Sequence, residues 1–283
     1  GVEYTVQVTS SIGGGDIYVD GTFTEQVTPS VITCESGTHN IEVRLPGYSA
    51  SEQVVSSGGE AFFELFPEVC PSTYESRLDT YTVANAAEFE EALLTAKNRA
   101  DDRWTVIRFA ESCPRIPYPA ERIADGIIRL DDTFTNLTID GRQSGGMVVS
   151  PEDVGLYVYG SNIRMVNIDF ESRGNKLSLQ VREDDKETRR VDVNDVYILG
   201  CRFADSFEVG VGNCGSRGFA ATGYGGEGTF NVSNLVFAGN TFERTLLFSF
   251  AGAGDEDYNV VSGYTVCSNT FTDGGIGLLA SDA

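Results

Sequence analysis

Positive charge is scarce in this chain: 20 Lys and Arg stand against 42 Asp and Glu, a net charge of −22 over 283 residues. Nucleic acid is thereby excluded as a partner, since a phosphate backbone is bound by Lys and Arg clusters that release counterions. Histidine is scarcer still, with His39 the only one, and no pair of the six cysteines has CxxC spacing. Zinc sites of Cys and His therefore lack a ligand set, and the sequence assigns no metal centre. Prolines number eight and no Gly-X-Y period accompanies the 32 glycines, so collagen is excluded. Long apolar runs are missing too. Stretches such as Ala61-Phe62-Phe63 are far too short for a transmembrane segment. What is present is 41% hydrophobic residues, an ordinary supply for a globular protein that buries one large core or two unequal ones.

The cysteines, Cys34, Cys70, Cys113, Cys201, Cys214 and Cys267, are scattered. An even count allows three disulfides in an oxidising compartment, and six small buried thiols are the alternative. Cys34 with Cys70 would tie a linker back onto a first module, and Cys201 with Cys214 would pin the base of a loop. The chain opens Gly1-Val2-Glu3, which reads as a processed chain. Asn136-Leu137-Thr138 and Asn231-Val232-Ser233 match the glycosylation triplet, a pattern common by chance.

Acidity is uneven along the chain. Residues 1–67 hold nine acids against the single base Arg44, and the other 33 acids and 19 bases follow. In that first segment Tyr4 to Val8, Asp16 to Val19, His39 to Leu45, Ser51 to Val55 and Ala61 to Phe66 read as short strands. Period-two alternation is clearest in Ile41-Glu42-Val43-Arg44-Leu45. Asp20-Gly21 suits a tight hairpin turn, and Pro46-Gly47 suits a type II turn that needs positive φ. His39 begins a strand and has no metal or triad partner in view. The segment reads as a small all-β sandwich over residues 1–67, followed by a linker at 68–80 that contains Pro71 and several Ser and Thr.

Gly14-Gly15-Asp16-Ile17-Tyr18-Val19-Asp20-Gly21, Thr28-Pro29, Ser36-Gly37-Thr38-His39-Asn40-Ile41-Glu42-Val43 and Pro46-Gly47-Tyr48 together resemble a PEGA domain. The resemblance implies a surface-exposed β-sandwich, often attached to cell-envelope proteins, and no catalysis.

A helix comes next. Asn85 can cap it and Glu88 completes a capping-box pattern, while Ala86, Phe89, Leu93 and Leu94 make an apolar stripe. Strands follow at Trp104 to Phe109, Ile127 to Leu130 and Leu137 to Ile139. The remainder contains an irregular repeat. When Asn136, Asn162, Asp195, Asn234 and Gly263 are aligned, Leu137, Ile163, Val196, Leu235 and Tyr264 stand one residue later. Two further on are Ile139, Met165, Ile198, Phe237 and Val266, and eight residues after the last four anchors lie Phe170, Phe203, Phe242 and Phe271. Anchor spacings of 26, 33, 39 and 29 suit coils of a parallel β-helix with loops inserted at one corner. Stacked coils set equivalent side chains about 4.8 Å apart, so the phenylalanines form an internal ladder. A propeller needs four strands per blade, and most of these repeats supply only two or three.

Two insertions interrupt the repeat. Leu177, Leu179 and Val181 alternate, Glu183-Asp184-Asp185-Lys186-Glu187 forms a charged tip, and Val191 and Val193 alternate back, which predicts a projecting hairpin. Cys214 to Gly228 contains six glycines and reads as a flexible loop.

The helix near Ala86, the stretch Asn136-Leu137-Thr138-Ile139-Asp140-Gly141-Arg142 and the coil Gly160-Ser161-Asn162-Ile163-Arg164-Met165-Val166-Asn167-Ile168 resemble the pectate lyase superfamily over about residues 81–283. That resemblance implies a right-handed parallel β-helix with an N-terminal capping α-helix. In catalytic members the coil matching Tyr197 to Phe203 carries an Asp-His pair beside a calcium site, but Leu199 and Gly200 occupy those positions. The later Arg-x-Pro-x-x-Arg motif is also missing, and no proline follows Pro151.

Candidate site residues therefore come from the repeat. Asp169, Arg202, Thr241 and Thr270 immediately precede the phenylalanines, and Glu171, Asp205, Glu243 and Arg244 follow them. Alternation sends these outward when Phe points in, so adjacent coils set Asp169 near Arg202 and Asp205 near Arg244. One reading is a polysaccharide-binding groove with Asp169, Glu171, Arg202, Asp205 and Arg244 as contacts, four of which (Asp169, Arg202, Asp205, Arg244) are also the catalytic candidates of a lyase or hydrolase. The other is a row of solvated opposite charges. Asp140 with Arg142 is first of all a turn. A Ca2+ site would draw on acidic loop residues such as Asp255, Glu256 and Asp257, although three consecutive acids more often mean only a solvated loop. The sequence thus reads as an all-β, secreted or cell-surface protein that binds a polysaccharide or cell-wall glycan, an active lyase or hydrolase with an atypical site and a purely structural stalk being the alternatives.

Overall fold

The computed structural model describes residues 1–97, 99–117, 127–130, 133–142, 147–150, 155–158, 160–170, 178–181, 191–204, 207–211, 230–244, 246–251 and 260–281. The chain divides into two units, one built on Gly1–Glu68 and the other on Val69–Thr265 with Asn269–Ala283.

The first unit consists of β1 (Glu3–Ser10), β2 (Asp16–Val19), β3 (Thr22–Val27), β4 (Ser30–Glu35), β5 (His39–Arg44), β6 (Ser51–Val55) and β7 (Gly59–Phe63). They form two sheets, in the orders β4-β1-β7 and β3-β2-β5-β6. Alternation buries one face of each sheet: Val6, Val8, Ile32 and Phe63 from the first, Ile17, Ile41 and Val43 from the second. The turn chemistry is as the residues require. Asp20 and Gly21 both have positive φ, 49° and 79°, and join the β2–β3 hairpin as a two-residue loop. Gly47 supplies a φ of 77°, and the Tyr48 N–H donates to Leu45 O at 3.0 Å to close its turn.

In the second unit a 3₁₀ turn at Ser72–Arg77 precedes β8 (Leu78–Val83), α1 (Ala86–Ala96) and β9 (Trp104–Phe109). The residues expected to be a linker thus carry regular structure, and Cys70 packs with Val69, Tyr74 and Leu78 on Trp104 and Val106. Helix α1 starts at the expected cap: Asn85 Oδ1 accepts the Glu88 N–H at 3.0 Å, and Glu88 Oε2 accepts the Ala84 N–H at 2.7 Å. Its buried face is Phe89, Ala92, Leu93 and Ala96. Leu94, expected in the stripe, is 56% exposed, because it is rotated about 100° from Leu93 on a helix of 3.6 residues per turn.

Fifteen of the remaining strands complete five triplets, and one more follows. They are β10 (Ile127–Leu130), β11 (Thr135–Asp140), β12 (Val148–Ser150), β13 (Gly155–Val158), β14 (Ser161–Val166), β15 (Ile168–Phe170), β16 (Ser178–Val181) and β17 (Val191–Leu199). After them come β18 (Arg202–Phe203), β19 (Phe207–Val211), β20 (Phe230–Ala238), β21 (Thr241–Phe242), β22 (Leu246–Ala251), β23 (Val260–Cys267), β24 (Thr270–Phe271) and β25 (Ile276–Ser281). Each triplet supplies one strand to each of three sheets, ordered β10-β13-β16-β19-β22-β25, β23-β20-β17-β14-β11-β9-β8 and β12-β15-β18-β21-β24. Parallel register carries the repeat from strand to strand, as in Ile163↔Val196↔Leu235 and Met165↔Ile198↔Phe237. Phe170, Phe203, Phe242 and Phe271 stack with centroids 4.9, 4.8 and 5.2 Å apart.

The predicted hairpin is not formed. β16 and β17, which would be its arms, lie in different sheets, and Val191 pairs with Phe230 of β20. Local alternation marks a strand, but not its partner, and the triplet register assigns both arms to parallel neighbours. The tip at 183–187 and the Gly-rich loop from Cys214 to Gly228 lie outside the described residues.

Candidate functional site

The candidate charges are carried by the five-stranded sheet, in which Phe170, Phe203 and Phe242 are buried, Phe271 is partly buried, and the alternate residues point away from that interior. Register sets Asp169 beside Arg202, Arg202 beside Thr241, and Thr241 beside Thr270. Arg202 Nη1 donates to Asp169 Oδ1 at 2.7 Å, while Nη2 donates to Glu243 Oε1. The guanidinium is therefore clasped between two carboxylates. Asp169 was expected; Glu243, as a partner of Arg202, was not. It lies two residues beyond Thr241 on the same face, and the long Arg side chain reaches that diagonal neighbour. Glu171 and Asp205 are outside the described residues, as is the expected Asp205–Arg244 pair; Arg244 itself is exposed.

The clasp determines what Arg202 can do. Hydrogen bonding to Asp169 raises its pKa above the ordinary arginine value against the opposing effect of burial, with Glu243 adding to the rise. A cation compensated on both sides has little charge left to neutralise a uronate in a transition state. What the face offers a ligand is hydrogen bonding, through carboxylate oxygens and the hydroxyls of Thr241 and Thr270.

Leu199 is fully buried, and Gly200 forms a corner with φ of 60° whose N–H donates to Ala238 O at 3.2 Å. Neither position presents an acid or a base. Asp140 is also buried, and its partner side chain is Arg108 of the preceding strand: Arg108 Nε donates to Oδ2 at 2.8 Å, and the Arg142 N–H donates to Oδ1 at 3.0 Å. Both carboxylate oxygens are thus held, Oδ2 by Arg108 of β9 and Oδ1 by the backbone of the turn. Asn136, at 8% exposure, accepts from Asn162 Nδ2 at 2.9 Å, so the first glycosylation triplet is closed by folding. Asp255, Glu256 and Asp257 lie outside the described residues.

The proposed bridges are absent. Cys34 is a free thiol on β4, where alternation turns it with Ile32 into the first unit's core, whereas Cys70 is packed against Trp104 and Val106 in the second. Cys201 is likewise a free buried thiol, and Cys214 lies outside the described residues. Burial pushes the Cys201 pKa up to about 12, which keeps the thiol protonated and unreactive. His39 does have a partner: its Nδ1 lies 2.6 Å from Asp20 Oδ2, and Nε2 lies 3.1 Å from Glu35 O. The signal was the Asp20-Gly21 turn, which sets that carboxylate at the start of the neighbouring strand.

Among the described residues no helix is long and apolar enough to cross a membrane. No curated protein and no solved structure matches the chain. Residues 3–65, which span the two sheets of the first unit, match the family model of the PEGA domain, a domain associated with extracellular or surface polysaccharide-related proteins.

Proposed function

We propose that this is an extracellular or cell-surface protein in which a PEGA β-sandwich is joined to a right-handed parallel β-helix, and that the helix binds polysaccharide without cleaving it. The observation that carries the reading is the compensated Asp169–Arg202–Glu243 clasp, continued by Thr241 and Thr270 along one parallel sheet. Strands repeating at about 4.8 Å present such side chains as a regular row, suited to a repeating polymer. Hydrogen bonding and shape would supply the affinity. The interior position of Leu199 and the corner position of Gly200 support a binding role over catalysis.

The test is a panel of neutral and acidic polysaccharides, with and without calcium. Retention without cleavage is the expected result. Unsaturated products absorbing in the ultraviolet, or new reducing ends, would replace binding by lyase or hydrolase activity. No retention on any polymer would leave a structural stalk and overturn the reading.

A further inference from the structure

The outward face of the β3-β2-β5-β6 sheet carries a group of aromatic and charged side chains that contact one another. One row across the four strands is Phe23, Tyr18, Glu42 and Glu52, set by the pairings Tyr18↔Phe23, Tyr18↔Glu42 and Glu42↔Glu52. The two rings are 5.4 Å apart, and the Arg44 guanidinium sits 4.1 Å from the Tyr18 centroid. Arg44 is fixed by a bidentate pair to Glu42, at 2.8 and 2.6 Å, and Asn40 Nδ2 donates to Glu52 Oε2 at 3.0 Å. Phe23 is nevertheless 45% exposed on an edge strand, and Val27, at the far end of the same strand, is 47% exposed. An aromatic left in water on a sheet edge is a solubility cost, and such patches mark binding surfaces.

We propose that this face is a second glycan site, taking an uncharged sugar unit whose C–H surface lies on Phe23 beside Tyr18 and whose hydroxyls bond the Glu42–Arg44 and Asn40–Glu52 pairs. The inference rests on the polysaccharide reading above, but on different residues. Charge selects the occupant. The only Lys or Arg in residues 1–67 is Arg44, already matched by Glu42, and His39 is paired with Asp20, so a uronate meets no uncompensated side-chain cation among nine acids. A second copy docked through the same patch would bring Glu42 and Glu52 against their own kind, a like-charge cost that disfavours an isologous dimer. An uncharged sugar meets neither penalty, and the ordered side-chain pairs leave little rotamer entropy to lose on binding.

Affinity electrophoresis of the full chain in gels containing a soluble neutral glucan or mannan tests this, with circular dichroism confirming that each variant is folded. Phe23→Ala is expected to weaken retention at least about tenfold, the scale of losing an aromatic anchor, while Phe23→Tyr retains it. Arg202→Ala should leave this site's contribution in place. If Phe23→Ala is retained as well as the parent and Arg202→Ala is not, this site is overturned and the polysaccharide reading stands. If the parent is retained by no polymer, both fail. A concentration-dependent dimer lost in Phe23→Ala would assign the face to a second copy instead.

Discussion

Asn136, Asn162, Asp195 and Asn234 share a φ between 54° and 60°, and Gly263 follows at 74°. Every anchor of the repeat is thus a left-handed corner, a conformation that costs most L-residues roughly 1–2 kcal/mol and that Asn, Asp and Gly adopt most easily. That restriction made the anchors legible as one column of similar residues. A second column, Asn167, Gly200, Gly239 and Ser268, has φ of 55°, 60°, 64° and 54°, yet its mixed chemistry hid it. Asn162 also donates to Asn136 at 2.9 Å, so two effects can be separated. Asn162→Gly should lose about 1 kcal/mol for the amide hydrogen bond, whereas Asn162→Val should lose about 2–3 kcal/mol by adding backbone strain. Denaturant midpoints read the difference, and equal losses would contradict the strain argument. His39 offers a second test. Hydrogen bonding to Asp20 raises its pKa, and the Asn40 N–H followed by His39 lowers that of Asp20. The His39 contribution is therefore complete below its unfolded value of about 6.5 and is lost as pH rises through the higher folded value. The Asp20 contribution is lost instead as pH falls through its own depressed value. With one histidine in the chain, proton NMR gives a single titration, expected to centre above 6.5 and to move down in Asp20→Asn. A midpoint at or below 6.5 in the parent would remove the pair from the stability balance.

At the scale of elements, a clean apolar column made a strand easy to read, and its lack hid two of the first unit's seven strands, β3 and β4. β5 buries Ile41 and Val43 between polar neighbours, and it was visible. β4 buries Ile32 and Cys34 but leaves the apolar Val31 52% exposed, while β3 has no buried residue at all, so neither shows a clean apolar–polar alternation in its sequence. The two-residue strands β18, β21 and β24 are too short for any period; only the repeated phenylalanines betray them. Their partners also escape local reading. Asn240, 1% exposed, accepts at Oδ1 from the Cys201 N–H at 2.9 Å and donates from Nδ2 to Ile198 O at 2.9 Å, joining positions 39 and 42 residues apart. The candidate site was half legible for the same reason: strand register sets Asp169 against Arg202, whereas Glu243 enters through side-chain reach. The ladder carries the element-scale prediction. Phe203 is stacked on both sides, at 4.9 and 4.8 Å, and is 2% exposed. Phe203→Ala should cost about 3–5 kcal/mol by cavity formation and lost stacking, and Phe203→Leu distinctly less. Phe271, at the end of the stack, has one ring neighbour among the described residues, so Phe271→Ala should cost less than Phe203→Ala in the same urea titration.

For the whole molecule, charge decides which polymers can approach. The first 67 residues contribute nine acids and one base, and the rest of the chain contributes 33 acids and 19 bases, so both parts are acidic. Within the second unit the described bases are largely engaged: Arg99 and Arg103 on Asp79, Arg108 on Asp140, and Arg202 on Asp169 and Glu243. These pairs cancel locally and leave the excess acid to set the far field. A polyuronate therefore meets repulsion before it meets the carboxylate clasp or the threonine row, while a neutral glycan meets none. Salt separates the two cases, because the screening length falls from about 30 Å at 0.01 M to about 3 Å at 1 M ionic strength. Retention of a neutral polysaccharide should stay within about twofold across that range, since hydrogen bonds and ring contacts at short distance are little screened. Retention of polygalacturonate should be absent at the low end and rise with added salt as the far-field repulsion is removed. The opposite trend, strong binding of polygalacturonate at 0.01 M that weakens as salt is added, would mean that an uncompensated basic surface dominates recognition, and both the neutral-glycan preference and the compensated-clasp argument would fall with it.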